Sequence, residues 1–172
     1  GLTDAIAPAG DHVVIDAYIC AGCGQCAAVC PTGAAAYALP PADALMRKLR
    51  SLVTTYRDAG GTQPAVVLMH DEAHGVPLID ALARFGDGLP ANVLPIAVNE
   101  VTQIGLEAIA AAFAYGATAV RVLLRAKPRH DTAGLARTLA LAEPILAGLG
   151  FGIGRAATIE TDDPDALADA LR

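Results

Sequence analysis

Cys20-Ala21-Gly22-Cys23-Gly24-Gln25-Cys26-Ala27-Ala28-Val29-Cys30-Pro31 holds every cysteine of a 172-residue chain within eleven positions. Two residues separate the first and second thiols, two the second and third, and three the third and fourth. Such spacing lets a short loop wrap its thiols around the corners of a small body. Gly22 and Gly24 supply positions where the backbone takes a positive φ with no Cβ in the way. Successive N–H groups of such a wrap point inward and stabilise an anionic centre, while Ile19, Ala21, Ala27 and Val29 exclude water from it. A zinc site joins two ligand pairs across about a dozen or more residues, which this crowding does not provide. A disulfide framework is equally ill served by four local thiols in an otherwise cysteine-free chain, and that usage points to a reducing, cytoplasmic compartment.

The pattern Cys-x2-Cys-x2-Cys-x3-Cys-Pro resembles the cluster-binding run of bacterial-type ferredoxins. The resemblance implies a 4Fe–4S cluster, with Cys20, Cys23, Cys26 and Cys30 as its cofactor-binding and metal-ligating residues, and electron transfer through it. It also implies a division of labour, because in two-cluster ferredoxins the cysteine before the proline serves the other cluster. Cys20, Cys23 and Cys26 then hold three corners of one cluster. Cys30 belongs to a second, whose other ligands are expected from an upstream ferredoxin half of the same chain. The chain, which starts Gly-Leu-Thr, reads on this basis as the C-terminal part of a larger protein, its cluster absent or incomplete in the fragment.

Before the cysteine run, Asp11–Asp16 is an extended segment, expected to pair with a strand after the second half of a ferredoxin fold. Thr32–Tyr37 resembles that fold's return segment, ending near Leu39. This half-ferredoxin segment spans 1–39, a linker helix 40–61, and an α/β domain 62–172. Pro40-Pro41 marks the first boundary, with Pro41 in a first helical turn. From 42 to 58, Leu45, Leu49, Leu52, Val53 and Tyr56 share one helical face. Arg47, Lys48, Arg50 and Arg57 lie mostly on the other, as a solvated side or a docking surface for an acidic partner. Gly60-Gly61 stops the helix.

Strand and helix then alternate: strands over 65–69, 92–98, 118–124 and 155–160, helices over 77–85, 102–115, 132–149 and from Asp163-Pro164 onward. Asp131 is expected to cap the third of these helices and Pro144 to kink or restart it. Pro95 removes a ladder donor and sends its strand to an edge. The pattern predicts an α/β fold, a four-stranded parallel open sheet of flavodoxin- or Rossmann-like type, with strand order 2-1-3-4.

The run Ala112-Phe113-Ala114-Tyr115-Gly116-Ala117-Thr118-Ala119-Val120 resembles a helix-to-strand junction of the delta subunit of methyl-viologen-reducing hydrogenase, a domain also found fused to heterodisulfide reductase-type flavoproteins. The resemblance covers roughly Gln63 to Gly154 and implies a docking role beside a redox partner or flavoprotein region. Family members carry a cysteine-bearing 2Fe–2S loop after this strand. Here Arg125-Ala126-Lys127-Pro128-Arg129-His130 stands in its place, so no second cluster is carried over.

Polar groups should gather beyond the carboxyl ends of the strands, where open sheets bind ligands: His70, Asp71, Glu72 and His74; Asn99 and Glu100; Arg125 to His130; Glu160 to Asp163. An anion, a metal or a partner could dock there, but a solvated rim of surface ion pairs is the favoured reading. Gly148, Gly150, Gly152 and Gly154 follow a helix and precede a strand, the reverse of a dinucleotide loop. Acidic residues outnumber basic ones 18 to 12, which speaks against nucleic acid, and no apolar stretch reaches the ~18 residues of a membrane span. The function expected is therefore an electron-transfer module of an iron–sulfur oxidoreductase. The alternatives are a structural or partner-docking module whose cluster is not redox-active, and a ligand-binding domain with a redox-sensing appendage.

Overall fold

The computed structural model describes residues 5–37 and 40–172. Six strands and six helices follow in the order β1 (Ile6–Ala9), β2 (His12–Ile15), α1 (Gln25–Val29), α2 (Ala42–Asp58), β3 (Val66–Asp71), α3 (Gly75–Phe85), β4 (Val93–Val98), α4 (Leu106–Ala114), β5 (Ala119–Leu124), α5 (Ala133–Gly148), β6 (Ala156–Glu160) and α6 (Pro164–Leu171), with a 3-10 turn at Val101–Gln103. β3 to β6 form one parallel sheet in the order β4-β3-β5-β6, as expected of the α/β reading. The Pro95 strand lies at the edge, where its missing N–H breaks no ladder.

A parallel sheet must be covered on both faces. Alternation along each strand divides the side chains between two cores. Val67 and Met69 of β3, Ile96 of β4 and Val120 and Val122 of β5 pack with α2, α4 and α5. Leu68 of β3, Leu123 of β5 and Ile159 of β6 pack with Leu78 of α3 and Leu167 of α6. Over 40–61, where a linker helix was expected, α2 is a packed layer: Leu49 and Val53 are fully buried in the larger core, with Leu45, Leu52 and Tyr56 against it. Pro41 is the N-cap of α2 rather than part of its first turn. The boundary expected near Leu39 lies outside the described residues.

Several expectations change. β2 pairs antiparallel with β1, just upstream, rather than with a strand after the cysteine run. In the expected return segment, residues 32–35 form a turn and bends and residues 36–37 are irregular. The helix expected over 102–115 is broken: Ile104 is extended and wholly buried, and α4 begins only after Gly105. Burying Ile104 takes the chain out of helical geometry and turns Thr102 and Gln103 toward the N-terminal segment. Pro144 lies inside one continuous helix, so α5 does not restart. The N-cap of α5 is Thr132 rather than Asp131, though the Asp131 carboxylate, one residue earlier, accepts the Ala133 N–H at 2.9 Å; Asp163 caps α6 through the Asp165 N–H at 3.0 Å.

Gly150, Gly152 and Gly154 have positive φ and carry the chain from α5 into β6. The Glu143 carboxylate accepts from Gly154, Arg155 and Ala156 at 2.8, 3.1 and 3.1 Å. The Ala156 N–H above all, then the Gly154 N–H, hold this carboxyl below the usual glutamate range. Its folded pKa therefore lies under the unfolded value of about 4.3. The stabilisation is complete above that value and fades as pH falls through the folded one. Glu143→Gln should lower unfolding free energy by roughly 1 kcal/mol at neutral pH, discounted for solvent screening. Urea titrations should show the two proteins converging in the acid range below about pH 4.

Candidate metal centre

The cysteine run leaves β2 through a turn that Asp16 ties down. Its carbonyl accepts the Cys20 N–H at 2.8 Å and its carboxylate the Tyr18 N–H at 2.8 Å. Cys20 and Cys23 follow in an open loop, Cys26 rides on α1, and Cys30 ends that helix. Gly22 and Gly24 have φ of 68° and 75°. Their surroundings differ. Nothing stands near a Cβ built on Gly22, whereas one on Gly24 would collide with Gln103 and the Tyr37 ring. The glycine at 24 thus makes room for the α/β domain.

Cys20, Cys23 and Cys26 line a single cavity of about 490 Å³, closed on its apolar side by Ala5, Ile6, Ile15 and Ala27. Cys30 lines a separate cavity of about 270 Å³ with Gly33, Pro41, Leu45, Met46, Gln103 and Glu107. Ala27, Ala35, Ala36 and Tyr37 border both. All four thiols are free, Cys20 and Cys26 exposed, Cys23 and Cys30 half-buried. Backbone donors reach two of the sulfurs: the Gly22 N–H lies 3.4 Å from Cys20 Sγ and the Ala35 N–H 3.5 Å from Cys30 Sγ. The Ala35 N–H first, then the Thr32 side chain and N–H, lower the Cys30 thiol to about 7, which favours the thiolate a metal needs.

Tyr37 closes the loop from behind, its hydroxyl donating to the Gly22 carbonyl. Burial first, then the charges of Cys23, Glu100 and Cys20, push its phenol up, so it stays a neutral donor.

Among the described residues no three His, Cys, Asp or Glu groups converge closely enough for a single metal ion, at His70 and His74 or elsewhere. A cubane asks for something else, thiolates spread around a body of several atoms, and the donor set and cavity suit it.

The cavity sits at the carboxyl end of the sheet. Thr102, just beyond β4, donates to the Cys23 carbonyl at 2.6 Å. Gln25 of α1 donates to the Asp131 carbonyl in the loop after β5. His130 and Asp131 form part of the cavity wall. The polar groups expected at this rim do meet. Asp71 Oδ1 accepts the His74 N–H at 2.6 Å and lies 3.8 Å from Arg125 Nη2. His74 Nε2 is 3.0 Å from Asp162 Oδ1, and His130 Nε2 is 3.9 Å from Glu100 Oε1. The rim is less solvated than expected, because His70, Asp71 and His74 are buried. Gly75 lies so close to the His70 imidazole that a Cβ there would collide with it. Glu72, Asn99, Lys127 and Glu160 stay exposed and take no part.

Thr102, Gln103, Gln25, Tyr37 and Asp131 were not singled out as site residues from sequence. Thr102 read as the start of an alanine-rich helix, and no local signal links it to a loop 79 residues earlier.

Residues 12–35, from β2 through the turn after Pro31, match the family described as a 4Fe-4S binding domain. No curated protein and no solved structure matches the chain. The segment with the four cysteines is accordingly a 4Fe–4S-binding unit, joined to a four-stranded α/β domain. No helix among the described residues is long and apolar enough to cross a membrane.

The two loop glycines give a paired test. Gly22→Ala should cost about 1 kcal/mol, the strain of a left-handed alanine. Gly24→Ala should cost roughly 3 kcal/mol or more, because Gln103 or Tyr37 must also move. Denaturant unfolding of the two variants measures the difference.

Proposed function

We propose that this chain is an electron-transfer module of a larger iron–sulfur oxidoreductase, in which Cys20, Cys23 and Cys26 ligate one 4Fe–4S cluster and Cys30 contributes to a neighbouring one. The observation that carries this reading is the division of the thiols between two adjoining cavities, three in one and Cys30 alone in the other. A bound 4Fe–4S cluster supplies one-electron transfer at a potential set by nearby charge, hydrogen bonds and solvent. The chain's own groups do the rest. Backbone N–H groups stabilise thiolates, Tyr37 holds the loop and stays neutral, and Ile6 and Ile15 give one wall an apolar lining.

The second cavity needs thiols that the described residues do not provide. An upstream ferredoxin half of the same protein is our proposed source. Val13, Val14 and Tyr18 are exposed beside the cysteine run and offer it, or a redox partner or flavoprotein region, an apolar surface. The α/β domain would then serve as the docking body, in keeping with the hydrogenase delta-subunit resemblance at the α4-to-β5 junction. Four free thiols suit a reducing compartment such as the cytoplasm.

Anaerobic reconstitution with iron and sulfide, with a small thiol present to fill an open corner, tests the ligand assignment. Cys23→Ser should abolish iron binding, while Cys30→Ser should keep the cluster of the first cavity. Equal loss in both variants would mean that all four thiols serve one cluster, and tight zinc in place of iron would end the reading. Reversible reduction by a low-potential donor, followed by EPR, is expected. A cluster that binds but does not reduce would mark a purely structural unit.

A further inference from the structure

In an open α/β sheet, the ligand site lies beyond the carboxyl ends of the strands, where the strand order reverses. Here the reversal falls between β3 and β5, the two central strands. Asp71 and Arg125 face each other there, and the remaining space is about 20 Å³. That holds roughly one water. The loops that normally embrace a ligand hold another part of the chain instead. The turn after β4 grips Cys23 and Gly24, and the loop after β5 grips Gln25.

We propose that the carboxyl-end rim of the sheet is a clamp for the cluster loop, with Thr102 and Gln103 as positioning residues that set how firmly the cluster is held and at what potential. This rests on the cluster assignment made above for Cys20, Cys23 and Cys26.

One peptide plane links the rim to the cluster loop. Thr102 is 3% exposed, and its hydroxyl donates to the Cys23 carbonyl at 2.6 Å. That carbonyl shares a rigid trans peptide with the Gly24 N–H, and the two point in opposite directions. Holding the carbonyl against the sheet therefore aims the Gly24 N–H away from it. The three-cysteine cavity is bordered by Cys23 and Gly24 and not by Thr102 or Gln103, and the clamp requires the Gly24 N–H to face it. An N–H donor fixed there stabilises added negative charge, and hydrogen bonds of this kind tune cluster potentials. Gln103 stands close to the other end of the same plane: a Cβ on Gly24 would lie 2.9 Å from the Gln103 Cα, so only a glycine lets the two segments come this near. A core position alone asks only for apolar bulk at 102. The hydroxyl, placed on a ligand's own carbonyl, asks for more.

The test uses the full chain, reconstituted without oxygen, as wild type, Thr102→Val, Thr102→Ser and Gln25→Ala. Three quantities are read: iron release to a chelator, midpoint potential by EPR-monitored titration, and melting temperature of the apoprotein. Thr102→Val should release iron roughly tenfold faster and move the potential downward, while Thr102→Ser behaves as wild type. Gln25→Ala, a change at the surface that leaves the core intact, should also release iron faster. Wild-type release and potential in both Thr102→Val and Gln25→Ala would overturn the proposal. So would a Thr102→Val effect confined to the apoprotein melting temperature. If wild type itself takes up no cluster, the failure lies in the underlying assignment, and the clamp falls with it.

Discussion

Val67, Leu68 and Met69 are wholly buried at the centre of the sheet, and their side chains alternate between two cores. A strand in that position has to be covered on both faces, and everything else in the molecule follows from how the cover is supplied. The crossover from β3 to β4 runs one way along the sheet, and those from β4 to β5 and β5 to β6 run the other. Right-handed crossovers then place α3 opposite α4 and α5. α6 joins α3 on the smaller core. α2, which precedes the sheet in the chain, completes the larger one. The segments that leave β3, β4 and β5 gather at the carboxyl-end rim, the side of an open sheet where ligands are bound.

That rim is occupied. In this protein the short turn after β4 and the loop after β5 reach back to the cysteine run, through Thr102 to the Cys23 carbonyl and through the Asp131 carbonyl to Gln25. The ion pair of Asp71 and Arg125 closes what remains. The small N-terminal unit has few means of its own to hold a shape: a hairpin of two four-residue strands, a five-residue helix and an irregular turn. Its order comes from the larger domain and, when bound, from the cluster. The contact at Gly24 shows the dependence most directly, since its lack of a side chain answers to Gln103 and Tyr37.

The division of the thiols has a parallel in the electrostatics. Cys30 sits apart, with the Ala35 N–H and the Thr32 side chain favouring its thiolate. Cys20 has the Gly22 N–H. Tyr37 stands between the two cavities as a neutral hydroxyl, kept so by burial and by the negative charges around it. Both cavities offer hydrogen-bond donors and apolar walls.

Much of this was readable from residues alone. Thiol spacing marked the cluster site because the geometry of a local loop depends on neighbours in sequence. Alternation of apolar runs with helical periodicity marked the parallel sheet, and Pro95 marked its edge, because a missing N–H is a property of one residue. What the residues did not disclose is equally specific. The break at Ile104, the burial of His70 and His74, the packing of α2 into the core and the role of Thr102 all depend on segments far apart in the chain. A threonine at the start of an alanine-rich stretch carries no mark of its partner. Only when β4 and the cysteine loop are brought to the same edge does its hydroxyl find the Cys23 carbonyl, and that meeting is a product of sheet topology, which local pattern does not encode.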